Sequence, residues 1–431
     1  MAGPVPLWRN HDFVLLWSGQ LVSTVGTRVS SLGFPLLVLA QTGSPTRAGA
    51  VGLAQTLPYL LLYLPAGALV DRWDRKRVML VADAVRATAL ASVGLAVAAG
   101  AFSLLHVAAA AFVEGAMFVF FQLSESAALP RVVPVEQLPV ALAQNQAREQ
   151  GAELAGQPLG GLLFGVSQVL PFLIDAVSYL LSFLTLLRLR SPLQASRERA
   201  PGRLRAEIGE GLRWVWSQPL LRVLAGLIGL TNLVFAGLTL SLIVRAQALG
   251  ASAAATGVLL GVMGLGALAG AAVAPWVYRR VPTRLIILGT LWLWVAQPVL
   301  LALLPSVLLL GVVAGVAAVP GPMFNVAVSS YRYALAPDRL QARTQSAMRL
   351  LGYGMIPLGS LVAGLLLQQT SAAATLLVLA AITLLVAATA TAVRAVRCAP
   401  QAGSSSGRSD RSAAGAGRIG SYLQRLQRLD R

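Results

Sequence analysis

Apolar and polar positions alternate along this chain in long blocks rather than in short periods. Twelve blocks rich in Leu, Ala, Val and Gly lie near 13–38, 48–70, 78–100, 104–126, 139–166, 170–188, 221–244, 255–277, 285–304, 306–330, 342–367 and 372–394. A helix crosses the hydrocarbon of a bilayer in about 20 residues, so each block is predicted to span a membrane. The runs are continuous and too long for strands, and a backbone in lipid must satisfy its own hydrogen bonds. The pattern predicts an all-α polytopic membrane protein with twelve transmembrane helices in two six-helix halves.

The longest polar interruption, 191–220, separates a first half (1–190) from a second (221–397). It opens with a polar linker. It then sets Leu204, Ile208, Leu212 and Val215 on one helical face, with Arg205, Glu207 and Arg213 largely elsewhere. That is the pattern of an amphipathic helix on the membrane surface. The halves read as repeats: Gly67 with Gly270, Arg131 with Arg332, Arg148 with Arg349 and Gly151 with Gly352 keep the same order. Such repeats place a transport path between the halves. The tail, 398–431, is Gly/Ser/Ala/Arg-rich and basic, and is expected to be disordered. Its last turns space Ile419, Tyr422, Leu423, Leu426 and Leu429 helically, which leaves a short surface helix open as well.

Composition agrees with a membrane protein. Only 12% of the 431 residues are charged, about half the share in a soluble domain. The net charge of +18 would suggest nucleic acid in a soluble chain. Here the charges fall in loops and the tail, where they orient the protein and meet lipid headgroups, so no nucleic-acid partner is expected. Arg72, Arg75, Lys76, Arg77, Arg131, Arg279, Arg280, Arg284, Arg332, Arg339 and Arg343 gather on one side, and only Arg47 and Arg245 on the other. Both termini are therefore expected in the cytoplasm, in an inner or plasma membrane. Cys398 is the one cysteine, so no internal disulfide is possible. No cleavable signal peptide is visible.

Several classes drop out. An ATP-binding loop needs Lys followed by Ser or Thr, but the only lysine, Lys76, precedes Arg77. His11 and His106 are far apart, and no cluster suits a metal or a hydrolase. No enzyme, metal or cofactor is expected.

The densest polar signal is GALVDRWDRKR, 67–77, between the second and third blocks. It resembles the signature loop between helices 2 and 3 of the major facilitator superfamily. The opening LWRNHDFVLLWSGQLVSTVGTRVSSLGFPLLVL is similar to the macrolide-efflux and enterobactin-exporter branch, as are VADAVRATAL, PRVVPVEQLPVALAQNQ and FLIDAVSYLLS. The resemblance implies an exporter of a small, often amphipathic molecule, such as a macrolide, another drug or a siderophore, driven by the proton gradient. A lysophospholipid flippase or an uptake permease of the same fold remains the alternative. The chain has Thr27 where the branch often has an acid, and its second-half loop, GAAVAPWVYRRVPTR, lacks the acidic residue. Each chain contains both halves, so a monomer is expected.

The resemblance implies that Gly67, Asp71, Arg72, Arg75, Lys76 and Arg77 form a conformational latch, with Asp71 facing the positive N-terminal end of span 11. Arg75 and Arg77 are expected to reach Glu125 at the end of span 4. Ionisable groups inside spans cost roughly 2.5–3.5 kcal/mol at the bilayer centre and need a reason. Arg28 and Glu114 are expected to be neighbours, either as a fixed pair or as a proton-exchange pair. Glu149 and Glu153 stand four apart on span 5. Glu153 is the deeper proton candidate, and Glu149 an ion-pair candidate near the cytoplasmic end. Asp175 is placed to guard the outer mouth, and Asp83 with Arg86 reads as a structural pair. In span 5, Gly156, Pro158, Gly160 and Gly161 fit either a gating bend or close helix packing. Gln55, Gln122, Asn232, Asn325, Phe118, Phe121, Trp292 and Trp294 are candidates to line an amphipathic cavity.

Overall fold

The structure, a computed structural model, describes residues 7–191, 193–194, 204–335, 347–348 and 350–393. The tail, most of the polar linker, Arg339, Arg343 and Arg349 lie outside the described residues, as do the side chains of Asp71 and Arg332. The first half comprises α1 (His11–Thr42), α2 (Pro45–Arg72), α3 (Arg75–Ala98), α4 (Leu104–Val132), α5 (Leu138–Val166) and α6 (Leu170–Arg188). After the connector helix α7 (Leu204–Ser217) come α8 (Pro219–Ala248), α9 (Ala253–Arg280), α10 (Thr283–Leu303), α11 (Val307–Ala318), α12 (Gly321–Leu335), α13 (Ile356–Gln369) and α14 (Ala372–Ala392). No strand occurs among the described residues.

Local chemistry sets the helix ends. Asn10, Ser44, Asp74, Ser103, Ser252 and Ser371 each accept a hydrogen bond from a backbone N–H three residues on. Such a cap contributes about 1 kcal/mol. Gly43, Gly100 and Gly250 take φ of +61°, +70° and +81° where α1, α3 and α8 stop, a backbone that residues with a Cβ rarely adopt.

Among the described residues, eleven spans are long and apolar enough to cross a bilayer. The twelfth is α5, a continuous helix of 29 residues. Its Gln144, Gln146, Arg148, Glu149, Gln150 and Glu153 lower its hydropathy, and it is wedged between α1 and α9. Two predicted spans are not single helices. The tenth breaks between Ala318 and Gly321, where Pro320 has no N–H to continue the ladder. The eleventh turns at Gly354 and Met355, just before Pro357, and then continues as α13.

Within the first half, α1 packs on α2, α5 and α6, while α3 packs on α4 and α6. Within the second, α8 packs on α13 and α14, α9 on α11, and α10 on α14. The halves meet along two long seams, α5 on α9 and α2 on α13. Large apolar side chains such as Leu95, Leu105, Leu184 and Leu385 point outward, as a surface facing lipid requires. The expected amphipathic connector helix is present as α7. Its Trp216 is exposed, but Val215 is fully buried in a core shared with Leu221, Leu224 and Met348. It therefore docks on the second half.

Candidate functional site

Arg86, on α3, is the hub of the first half. Its guanidinium Nη2 donates to Glu114 Oε1 on α4 at 2.8 Å and to Thr27 Oγ1 on α1 at 3.2 Å. It also lies 3.9 Å from the ring centroid of Tyr179 on α6. The Tyr179 hydroxyl is 2.8 Å from Thr27 Oγ1 and donates to Glu114 Oε1 at 3.3 Å. Gln55 Nε2, on α2, donates to Glu114 Oε2 at 3.3 Å. Five helices are thus tied to one ion pair whose side chains are only 3% and 2% exposed. A pair this dry holds because several hydrogen bonds replace lost water. Thr27, where the related branch often has an acid, is part of the cluster, and Glu114 brings the carboxylate from α4 instead.

Several sequence expectations are corrected here. Arg28 does not pair with Glu114. Its Nε stands 2.9 Å from Glu153 Oε2 on α5, with the two side chains 39% and 33% exposed. The cause is helix packing: a Cβ on Gly156 would stand 2.4 Å from Arg28 Cβ, so α5 approaches α1 and brings Glu153, one turn away, alongside. Asp83 and Arg86 do not form the expected pair, because the guanidinium turns to Glu114. Asp83 is completely buried, and neither of its carboxyl oxygens has a hydrogen-bond partner. Asp175 does not guard a mouth. It is fully buried between α6 and α1, accepting from Ser30 Oγ at 2.6 Å and Ser178 Oγ at 2.9 Å.

At the end of the bundle that carries the basic loop, Glu125 is not held by Arg75 or Arg77. Arg148 Nη1 of α5 reaches Glu125 Oε1 at 2.9 Å. Arg75 does reach the end of α4, but at a carbonyl, donating to Ala127 O at 2.9 Å and to Leu193 O at 3.2 Å. Lys76 Nζ donates to Leu187 O and Leu189 O at 3.1 and 2.8 Å, closing the C-terminus of α6. These bonds stitch the first half together. Asp74 caps α3 by accepting from Arg77 N at 2.8 Å, and Arg72 and Arg77 are exposed. Asp71 sits in the last turn of α2, and no heavy atom would lie within 4 Å of a Cβ on Gly67. Glu149 is exposed on α5.

The two seams are tightest at the opposite end. A Cβ on Gly161 of α5 would lie 2.3 Å from Ala253 O and 2.8 Å from Gly257 Cα. A Cβ on Gly49 of α2 would lie 2.5 Å from Ser360 O and 3.0 Å from Gly364 Cα. Both seams therefore depend on glycine, the α5 one facing α9 and the α2 one facing α13. The helix α5 runs unbroken through Pro158, and Gly156 and Gly160 face α1. Between the halves lies a cavity of about 210 Å³ lined in part by Ser31, Gln55, Thr56, Thr239 and Ser360.

The candidate lining residues divide. Gln55 faces this cavity, while Asn232, Asn325 and Trp294 face another, between α5 and the second half. Gln122 accepts from the Tyr63 hydroxyl. Phe121 is core, and Trp292 is exposed and bonds Thr391 on α14. Tyr179, Ser30 and Ser178 escaped sequence reasoning, because a lone Tyr or Ser in an apolar run carries no signal until its neighbour is known.

Two six-helix halves, closed on each other by glycine seams around a cavity, are the build of a transporter of the major facilitator superfamily. Within it, the chain belongs to the family described as transmembrane secretion effector, whose model matches residues 2–411. It is 31% identical to the multidrug efflux pump Tap of Mycobacterium tuberculosis, over 91% of this chain and 96% of that protein. It is 25% identical to macrolide efflux protein A of Streptococcus pyogenes, over 46% and 50% of the two chains. A bacterial homologue of the iron transporter ferroportin, solved in an inward-facing state, superposes with a TM-score of 0.71 at 17% identity, covering 89% of this chain and 98% of that one. These relatives and neighbours are transporters, not enzymes.

Proposed function

We propose that this transporter expels small amphipathic compounds, drugs among them, in exchange for protons. The kinship to the multidrug efflux pump Tap and to macrolide efflux protein A supports the direction and the cargo class. The observation that carries the coupling is the Arg86–Glu114 pair, joined through Gln55 to the inter-half cavity. In one state Glu114 is ionised and bound to Arg86. In the other it takes a proton, the attraction to Arg86 falls, and α3 and α4 are released from each other. The more accessible Arg28–Glu153 pair is the first stop for a proton entering from the open side.

Every carboxylate in a span belongs to the first half. Residues 219–397 hold one acidic residue, Asp338, which falls in the loop between the tenth and eleventh blocks. Proton exchange is therefore assigned to the first half. The basic end faces the cytoplasm of an inner or plasma membrane, with both termini there, and the glycine seams close the outer end. Asp71 and the cations at 72–77 steady the cytoplasmic end while it is shut. Gly156, Pro158, Gly160 and Gly161 form the point at which α5 pivots on α1 and α9 during the cycle. One chain is the working unit.

The test uses vesicles loaded with a pH-sensitive dye. A proton gradient is imposed, and macrolides, siderophores and dyes are added singly. Substrate-dependent collapse of the gradient, lost in Glu114→Gln, is the expected result. Transport that ignores the gradient would overturn proton exchange and turn the reading toward uniport or lipid flipping.

A further inference from the structure

Between α5 of the first half and the helices of the second lies a cavity of about 550 Å³, large enough for a drug-sized molecule. Its wall is aromatic and rigid. Trp294 meets Phe235 edge-on at 4.8 Å and 89°, and meets Phe324 at 5.2 Å. The indole N–H of Trp294 is already bonded to Ala317 O at 2.8 Å, so the ring offers only its faces and edge. Ala267 and Ala271, one turn apart on α9, leave the room opposite.

The polar part of the lining is amide. Gln146 and Gln150 come from α5, Asn232 from α8 and Asn325 from α12. Asn232 Nδ2 donates one N–H to Gly352 O at 3.0 Å, near the turn of the eleventh span, which leaves its second N–H and its carbonyl oxygen. Among the described residues, no hydrogen bond holds the side chains of Gln146, Gln150 and Asn325. Behind Trp294 and Phe235, a void of about 10 Å³ adjoins Gln297, which is 3% exposed with an unpartnered Nε2. That void has room for about one water. Among the described residues, no lining side chain is ionisable.

We infer that this cavity is a recognition pocket for an uncharged aromatic solute bearing amide, carbonyl or hydroxyl groups. The inference rests on the export reading and names the substrate class of that activity. Amides supply donors and acceptors together but neutralise no charge. No carboxylate among the described residues lines the cavity, so a cation entering here sheds hydration with no opposite charge in the wall to replace it. A neutral ring loses only apolar hydration and stacks on the Trp294–Phe235–Phe324 wall. Charge handling and cargo recognition thereby fall to different groups, the first to the carboxylates of the first half and the second to the amides and aromatic rings of this cavity.

The test is equilibrium dialysis of the full chain in detergent micelles. The probes are chloramphenicol, a neutral aromatic amide, and ethidium, a permanent aromatic cation. Chloramphenicol is expected to bind saturably and at least about tenfold more tightly than ethidium. Asn325→Ala and Gln150→Ala are each expected to weaken it about three- to tenfold, the value of one hydrogen bond. Asn325→Glu should reverse the preference toward ethidium. Gln146→Ala, at an exposed position, replaces either alanine variant that fails to elute as a monodisperse, cooperatively melting protein. Equal affinity for both probes, wild-type affinity in the alanine variants, or no saturable binding of either probe would overturn the pocket. Binding here is read without a gradient, so its failure leaves the vesicle test of proton exchange standing, and the reverse also holds.

Discussion

Arg86 and Glu114 meet at 2.8 Å where neither side chain is more than 3% exposed. The contact joins α3 to α4, and through Thr27, Gln55 and Tyr179 it draws in α1, α2 and α6. Removing one partner strands the other charge. Arg86→Met is expected to destabilise the protein by about 3–5 kcal/mol, and Arg86→Met with Glu114→Leu to recover much of that. Thermal melting in detergent measures both. Equal losses in the single and double variants would mean that the pair is not the source of the cost.

Arg28 and Glu153 should behave differently. They stand as close, at 2.9 Å, but both reach solvent. Exposed pairs contribute about 0–1 kcal/mol. Arg28→Ala should therefore move the melting temperature little, yet slow substrate-driven proton exchange in vesicles. A large loss of stability with transport intact would reverse that assignment.

Gly257 closes one seam. A Cβ there would stand 2.5 Å from Gln157 O and 2.9 Å from Gly161 Cα. In Gly257→Leu the α5–α9 seam should fail to close. With Cys398 replaced by Ser, a cysteine introduced at Phe164 should then label faster with a membrane-impermeant maleimide than in the same background with Gly257. Unchanged labelling would show that the seam does not limit access.

Asp71 lies in the last turn of α2, at the start of the basic loop. Asp71→Asn should impair transport while insertion and yield stay normal. The comparison is initial export rate per inserted protein, and wild-type rates would remove Asp71 from the latch.

Much of the site was legible, but unevenly. Glu114, Asp175 and Glu153 stood out because an ionisable group in an apolar run is rare. Their partners did not. Arg86 was visible at i+3 from Asp83, yet its side chain crosses to α4 and lies over Tyr179 instead. The signal that would have placed Arg28 beside Glu153 was present in the span-5 glycines, since Gly156 and Gly160 let α1 approach. The second-half pocket left a trace too, in the near absence of acids from 219–397. Its amides look like ordinary polar punctuation until three helices, α5, α8 and α12, bring them together.

The sequence by itself determined the spans, the two halves, the connector helix and the set of charges that must be explained. Those follow from local properties: hydrophobic length against bilayer thickness, capping residues, and the cost of charge in lipid. Only the tertiary structure decided which charges meet. The rotation of each helix and the depth of each crossing depend on how small residues on two distant segments fit together. A shift of one residue turns a helix by about 100°. That difference separates Arg28 beside Glu153 from Arg28 beside Glu114.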